Sequence, residues 1–526
     1  MIPHMLNWVH HVREARIPHI VGALDEAMLE LLERSNVPNY PFFHKDLDGS
    51  NQHISDSWKK FAIGRLGQTR ALLKLGYDAL MTDIDVVWLN NPRPYLYCTG
   101  EPLVADVDCS SMGYADVAVS SDNLAPGLDR TGGASYPIYG TLNTGIVFLR
   151  ATQAGIGFAD HWYQNLVQAP GRYATLTSDQ QVFNMMMREP GKWPGVQLYD
   201  PKNQQSRLVL ANEPVLPENK RVKVGLLPLA LFANGHAFFV QRHDVRSRVA
   251  PLAVHATYTF DGAGAGAKQF RFRERGLWFE DQSFVDNTTK MLTWDAASLP
   301  AHARGPVGLR THLKVVEHHL ASMRGALAVA RVLGRTLLLP EMPCFCDKTW
   351  GGHDNIFKTK CMYPGAQTGD YLPFMCPMDH LVSPAAWVDS GVDFRAHGFL
   401  YGHFRDRVPK SIREHPVRSL AVPGLASESD VRLAAAALSH VPVISLSDAH
   451  TAFCRFDGED DNSAFEALIS KLLKPIPWCA ECHPEGCAFY IEADVLSTGR
   501  IEHTRGGTAE MFCRDFSVPK APCLKG

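Results

Sequence analysis

Asp83 and Asp85 stand one residue apart inside an apolar run, and they are the residues in the chain best suited to chemistry. Carboxylates this close repel each other unless a cation lies between them. A hard divalent ion with oxygen ligands, Mg²⁺ or Mn²⁺, meets that need, and such ions commonly carry substrate phosphates. The competing reading is a solvated or capping Asp pair where a strand meets a loop, because short motifs match often by chance. A third reading comes from another enzyme class. Asp-x-Asp-x-Val after an apolar strand also fits aspartyl-phosphate phosphatases, with Asp83 as nucleophile and Asp85 as acid/base. That chemistry needs a later Lys and a further Asp pair, and Asp460-Asp461 lies far down the chain in a polar stretch.

The elements around the pair must position it. Ala79 to Leu89, ALMTDIDVVWL, reads as one buried strand, on which side chains two apart share a side. Ser57 to Leu75 is an amphipathic helix stopped by Gly76. Residues 5 to 16 look helical, His19 to Ala23 is a short strand, and Asp25 caps a helix to Arg34. Val37-Pro38 begins another strand. That rhythm predicts a parallel α/β sheet with its ligand at the carboxyl ends of the strands. Thr141 to Leu149 is a buried strand with a polar entrance at Asn143-Thr144-Gly145. Ser178-Asp179-Gln180-Gln181 starts a helix, so Asp179 has an N-cap role to weigh against a functional one. Leu252 to His255 is a short strand, and His255 is either a site ligand or a hydrogen-bonded core histidine. Asp261 to Lys268, DGAGAGAK, is either a floppy linker or a loop whose Gly262, Gly264, Gly266 and Lys268 approach a diphosphate. Arg70 either reaches the donor phosphate or sugar or makes an internal ion pair.

The whole chain sets bounds. It has 526 residues, of which 45% are hydrophobic and 20% charged, enough for several domains with a sizeable core. A net charge of −3 gives no reason to expect nucleic acid or an anionic membrane as partner. No run of eighteen apolar residues marks a transmembrane helix. Met1 opens directly into a helical pattern, which suggests that a leading strand and any anchor are missing. Of twelve cysteines only Cys98 and Cys109 lie in the first half; with the sequon Asn287-Thr288-Thr289 they favour a secretory compartment with disulfides of unknown connectivity. Trp478-Cys479-Ala-Glu-Cys482-His483 has the haem-attachment pattern, but disulfides are the preferred reading. The expected organisation is a first domain over 1–294, an Ala/Pro/Gly-rich linker at 295–306, and a Cys-rich α/β domain over 307–526.

The first domain resembles the nucleotide-diphospho-sugar transferases of glycosyltransferase family 77. The residues that carry the resemblance are Trp58, Arg70 to Asp78, Met81 to Leu89, Asn143-Thr144-Gly145, Ser178-Asp179-Gln180 and His255. Leu327 to Asp347 and Leu372 to His380 resemble the plant extensin arabinosyltransferase branch. The resemblance implies a GT-A fold, a parallel-rich sheet flanked by helices, and a retaining transfer. It implies Asp83, Asp85 and His255 around Mn²⁺ or Mg²⁺, with Asp83 also near the ribose. Asn143, Asp179 and Gln180 would meet the donor sugar or the acceptor hydroxyl, and Asp179 would stabilise an oxocarbenium-like state. Gly145, Arg70 and Lys268 would lie along the nucleotide sugar. The implied donor is UDP-arabinofuranose and the implied acceptor a hydroxyproline-rich glycoprotein or a cell-wall glycan, in the Golgi lumen, with membrane attachment only through an anchor absent from this sequence. Xylosyl or galactosyl transfer, and a non-catalytic sugar-binding scaffold, are the alternatives. Such an acceptor is a polyproline II helix, for which Trp162, Trp193, Tyr136 and Tyr139 are aromatic candidates, with core or loop packing as the plainer reading.

Overall fold

A computed structural model of the chain describes residues 2–42, 55–99, 107–260, 265–279, 289–299, 309–345, 373–402, 405–473, 482–483, 486–487 and 523. It forms two compact units, Met1–Phe238 with Arg242–Thr257, and Phe239–Gln241 with Tyr258–Gly526. The division at Thr257 falls earlier than the one expected at 294. The reason is the strand Met291–Trp294, which is the centre of the second unit's sheet and not the end of the first domain. Residues 295–299 leave that central strand without helix or strand, and residues 300–306 of the expected linker lie outside the described residues.

In the first unit, β1 (Val21–Ala23) and β2 (Asn39–Pro41) form a parallel pair joined by the helix Glu26–Arg34. Asp25 caps that helix by accepting from the Met28 amide at 2.7 Å. The rhythm then departs from expectation, because the next strands join other sheets. The predicted strand 79–89 is two strands, β3 (Ala79–Thr82) and β4 (Val86–Trp88), with a turn between them. β3 enters a six-stranded sheet beside β6 (Leu142–Leu149), which is followed by β5 (Val117–Ser121), β9 (Lys223–Leu226), β8 (Leu208–Leu210) and β7 (Gln197–Leu198). Only β5 and β9 are parallel there; the other neighbours run antiparallel. β4 joins β11 (Ala253–His255) antiparallel, and β11 runs parallel to β10 (Phe232–Asn234). An unbroken apolar run cannot reveal such a turn, since both flanking strands are buried; the turn-forming Asp residues were its one local sign.

The six-stranded sheet is covered on both faces, and β6 shows why it reads as continuously apolar. Val147 and Leu149 pack with Leu66, Phe158, Trp162 and Phe183 from three helices, while Ile146 and Phe148 pack with Trp8, Val86 and Trp88. Side chains alternate across a strand, so two buried faces demand apolar residues at every position.

The second unit has a five-stranded sheet in which every neighbour is parallel. Its order is Phe394–Arg395, Thr336–Leu338, Met291–Trp294, Val443–Leu446, Arg418–Leu420. The helix Leu309–Leu333 crosses from Met291–Trp294 to Thr336–Leu338. Leu292, Leu337 and Ile444 join one core with that helix, while Met291, Leu338 and Val443 pack with Phe399, Leu400 and Ile412 on the other face. The predicted glycine-rich loop at 261–268 becomes a helix from Ala265 to Glu274, so Gly266 and Lys268 are helical and belong to this unit. A Cβ at Gly266 would stand 3.2 Å from the Ala385 Cβ, so glycine lets this helix press against Pro384–Val388. Gly262 and Gly264 lie outside the described residues, as do the sequon at Asn287 and Cys479.

Among the described residues the disulfides Cys98–Cys109, Cys344–Cys376 and Cys454–Cys523 are formed. The first pairs the two cysteines of the N-terminal half, as a disulfide framework requires.

Candidate active site

The turn Asp83-Ile84-Asp85 bridges two sheets, and that junction builds the site. The Asp83 amide donates to the Gly145 carbonyl at 2.9 Å, tying the turn to β6. The Ala256 amide donates to the Asp85 carbonyl at 3.0 Å, tying it to β11. His255 faces Val86 across the β11–β4 pair, one residue beyond Asp85. The two carboxylates converge because a turn brings them together, not because a strand's alternation does.

His255 Nε2 lies 3.3 Å from Asp85 Oδ1 and 3.8 Å from Asp83 Oδ2. One ligand atom from each of the three residues falls within 4.8 Å of the others. Two carboxylate oxygens and one imidazole nitrogen suit Mn²⁺ or Mg²⁺. His255 and Asp85 are buried, and Asp83 is part-exposed. The backbone of Gly145 makes room for the imidazole: a Cβ there would stand 2.3 Å from His255 Cε1 and 2.9 Å from Asn143 Oδ1.

Asn143, Thr144 and Gly145 owe their place to an irregularity. β5 and β6 shift register between Val119 and Ser120, so Val119 faces Val147 and Ser120 faces Asn143. The skipped residues bulge, and bulges re-aim side chains beside functional sites. The Asn143 amide nitrogen donates to Asp122 Oδ1 at 2.9 Å, and its oxygen accepts from the Gly145 amide at 2.8 Å. Ser178 is the N-cap of the helix Asp179–Met187, in a capping box with Gln181. Asp179 therefore has no N-cap duty. Gln180 Oε1 accepts from the Thr144 amide at 3.1 Å, which locks that helix start to β6.

Two residues that sequence reasoning missed complete the cluster. Arg65 Nη1 stands 2.9 Å from Asp83 Oδ1 and 3.4 Å from Asp179 Oδ2, and Arg65 Nη2 donates to the Thr144 carbonyl at 3.1 Å. One guanidinium thus joins three of the motifs. Asp122, next to β5, faces Asn143. Burial pushes the Asp122 carboxyl up, against the pull of His255 and the Asn143 amide. Burial also pushes Asp179 up; Arg65 pulls it down and Asp83 pushes it up.

Arg70 is placed elsewhere. It pairs with Asp160 at 2.6 Å and stacks over Tyr163, both on the helix Gln153–Gln168. Arg65 and Arg70 flank opposite edges of the buried stripe formed by Ala62, Leu66, Thr69 and Leu73, since five residues turn a helix by about 140°. The donor-phosphate role expected of Arg70 is therefore replaced by an internal ion pair. Asp460 and Asp461, which a phosphatase would need beside Asp83, begin the helix Glu459–Leu472 in the second unit, where Asp461 pairs with Arg331 at 3.3 Å. Trp162 is core: it is fully buried and its indole donates to the Asp179 carbonyl at 2.9 Å.

Residues 17–272 match the family model described as nucleotide-diphospho-sugar transferase. The chain is 26% identical over 517 aligned residues to arabinosyltransferase XEG113 of Arabidopsis thaliana, covering 91% of this chain and 72% of that protein. It is 26% identical to UDP-D-xylose:L-fucose alpha-1,3-D-xylosyltransferase 3 of the same plant, covering 41% of this chain and 46% of that protein. Among solved structures, galactosyltransferase LgtC with donor and acceptor sugar analogues is 16% identical, covering 50% of this chain and 84% of that one, at a TM-score of 0.25. Over residues 17–272 the chain is thus similar to the nucleotide-diphospho-sugar transferases.

Proposed function

We propose that the chain is a metal-dependent, retaining glycosyltransferase that moves a pentose, L-arabinofuranose from UDP-arabinofuranose, onto arabinosylated hydroxyproline-rich glycoproteins. The observation that carries the metal dependence is the convergence of Asp83, Asp85 and His255 to within 4.8 Å. The likeness to a plant arabinosyltransferase over 91% of the chain supports the sugar. Asp83, Asp85 and His255 would hold Mn²⁺ or Mg²⁺, which as a Lewis acid neutralises the departing diphosphate.

The chain's own residues do the rest. Arg65 pairs with Asp83 and Asp179 and gives the site a fixed positive charge for the donor's phosphates. Asp179 presents a buried carboxylate to the developing positive charge at the sugar ring. Asn143 is held by Asp122, and Gln180 by the amide of Thr144, whose carbonyl accepts from Arg65. In a retaining reaction of this kind the leaving phosphate can take the acceptor's proton, so no strong general base is needed.

The disulfides support a compartment that permits them, and we assign the protein to the Golgi lumen. Among the described residues no helix is long and apolar enough to cross a membrane.

The test is UDP release. The protein is incubated with Mn²⁺ and UDP-arabinofuranose, UDP-xylose or UDP-galactose, with Asp85→Ala as control. Release from UDP-arabinofuranose alone, lost in the variant and on chelation, is the expected result. Release from another sugar donor would reassign the pentose, and no release from any donor by folded protein would leave a sugar-binding scaffold.

A further inference from the structure

We propose that His312 and His319 form an acid-sensitive latch in the second unit. The latch holds the disulfide-bonded strands Met342–Cys344 and Phe374–Cys376 to the helix Leu309–Leu333, and proton uptake by the two imidazoles releases them.

The two histidines stand two helical turns apart, so they share one face of that helix. Both are fully buried. The Phe345 amide donates to His312 Nδ1 at 3.2 Å, and His319 Nε2 donates to the Pro343 carbonyl at 2.9 Å. One short segment is thus gripped by its own backbone donor and acceptor. The partners fix the proton positions. An amide only donates, so His312 Nδ1 carries no proton; a carbonyl only accepts, so His319 Nε2 carries one. His319 Nδ1 is buried and makes no hydrogen bond among the described residues. The gripped strand runs antiparallel to Phe374–Cys376, and Cys344–Cys376 closes the pair with its sulfurs inside the fold.

Protonation works against both contacts. A proton on His312 Nδ1 would face the Phe345 N–H, donor against donor. A proton on His319 Nδ1 would bury a charge and a donor that has no acceptor. Burial holds His319 down at about 4, against the upward pull of the Pro343 carbonyl. A released imidazole titrates near 6.5. The folded value is therefore the lower one, so the latch is at full strength above about pH 6.5 and weakens as pH falls toward 4.

Other titratable groups surround the latch. His318, next on the helix, has its ring 6.1 Å from that of His319 and 4.7 Å from that of His450, which follows Val443–Leu446. Charging those two adds repulsion toward a different element. Glu341, before the gripped strand, lies 3.9 Å from His397. On the far side of the pair, His380 stands 6.0 Å from Phe374, beside Asp379 and its partner Arg271. Farther along the helix, Arg324 pairs with Glu466 and Arg331 with Asp461. On the helix Glu428–Ala435, Glu428 pairs with Arg432, and Asp430 accepts from Ser427.

The experiment follows reduction of Cys344–Cys376 in the full chain by a water-soluble phosphine, relative to oxidised glutathione, as pH is lowered. Each imidazole that is neutral in the latch and charged outside it multiplies opening about tenfold per pH unit. The expected result is a relative rate that rises about tenfold or more per unit from about pH 6.5 to about pH 4.5. Amide exchange should rise with it over 342–345 and not over the central strand Met291–Trp294. The double variant His312→Asn, His319→Gln keeps both hydrogen bonds, since Asn offers an acceptor and Gln a donor, and titrates at neither position. It should reduce as the unsubstituted chain does at neutral pH and show no acid rise. The proposal is overturned if the unsubstituted chain shows no rise, or if the central strand opens in parallel, which is global unfolding. It is equally overturned if the folded double variant rises as the unsubstituted chain does. Should the double variant fail to fold in thermal melts, His319→Gln alone decides, and an undiminished slope overturns the latch.

Discussion

The two units each gather carboxylate and cation around a helix, and they do it to opposite ends. In the second unit Asp379 is fully buried and its carboxylate is surrounded. Arg271 lies 2.9 Å from one oxygen and 3.1 Å from the other, the Phe260 amide donates at 3.0 Å, and His380 Nδ1 lies 3.4 Å away. Burial alone would push this carboxyl up, but Arg271, His380 and the amide outweigh it and hold it at about 2. In the first unit Asp83, Asp85 and Asp179 gather around one guanidinium and one imidazole, and the Asp83 side chain is 37% exposed. One cluster is closed by its own fold; the other has the ligand set of a divalent cation and an approach from solvent. A buried ion pair that is complete is architecture. Carboxylates and an imidazole that converge at metal-ligand spacing beside solvent mark a place where something else binds.

Loss of Asp85 should do the most to test this contrast. Asp85→Ala should lower Mn²⁺-dependent UDP release about a thousandfold or more, the several kcal/mol that a Lewis acid supplies. Its thermal stability should be unchanged or higher, since removing one of several clustered carboxylates relieves repulsion. A variant that unfolds instead would make the first cluster as structural as the second.

The closed cluster should behave the other way. Arg271→Met leaves a buried carboxylate without its cation and should cost about 3–5 kcal/mol of unfolding free energy, read by denaturant melts. Replacing both Arg271 and Asp379 by apolar residues should recover most of that loss. The pH dependence has a definite sign. The folded Asp379 titrates at about 2, below the unfolded carboxyl, so its stabilisation is present above the unfolded pKa near 3.9 and is lost as pH falls from there through 2. The stability of the Arg271→Met variant should therefore fall less steeply in acid than that of the unsubstituted chain.

Much of the first cluster was legible in the sequence, and the reasons are physical. Asp83 and Asp85 stand out because carboxylates are rare in a fully apolar run. Asn143 and Gly145 stand out as polar residues at the mouth of a buried strand. The register shift that aims them, between Val119 and Ser120, leaves no local signature. The break at Asp83-Ile84-Asp85 was hidden for the same reason that the strand was found: β3 and β4 are both buried, so hydrophobic pattern runs straight through the turn. The division of the chain was misplaced because the strand Met291–Trp294 belongs to the second unit's sheet, and the helix from Ala265 was missed because a Gly-rich segment reads alike whether it is a loop or the start of a close-packed helix. Asp379 was visible only as one residue of a dipeptide. Its partner Arg271 is more than a hundred residues away, and pairing across that distance is a property of the fold.

Arg65 and Arg70 give the sharpest remaining comparison, because one helix carries both. Arg65→Met should lower UDP release about a hundredfold, the effect of removing one preorganised charge at a reacting centre. Arg70→Ala should leave it unaltered and cost less than about 1 kcal/mol of stability, because the Asp160 carboxylate is 37% exposed and solvent screens the pair. Sequence alone favoured Arg70, which stands within the motif, over Arg65, which does not. The helix decides otherwise: Arg65 sits on the edge of the buried stripe nearest Thr144 and Asp179, and Arg70 on the edge nearest Asp160 and Tyr163. If Arg70→Ala lost activity alongside Arg65→Met while keeping its melting temperature, the assignment of the two helix edges would be wrong. If Arg65→Met lost stability without activity, the guanidinium between Asp83 and Asp179 would belong with the closed cluster of the second unit, and the charge that receives the donor's phosphates would have to come from another residue.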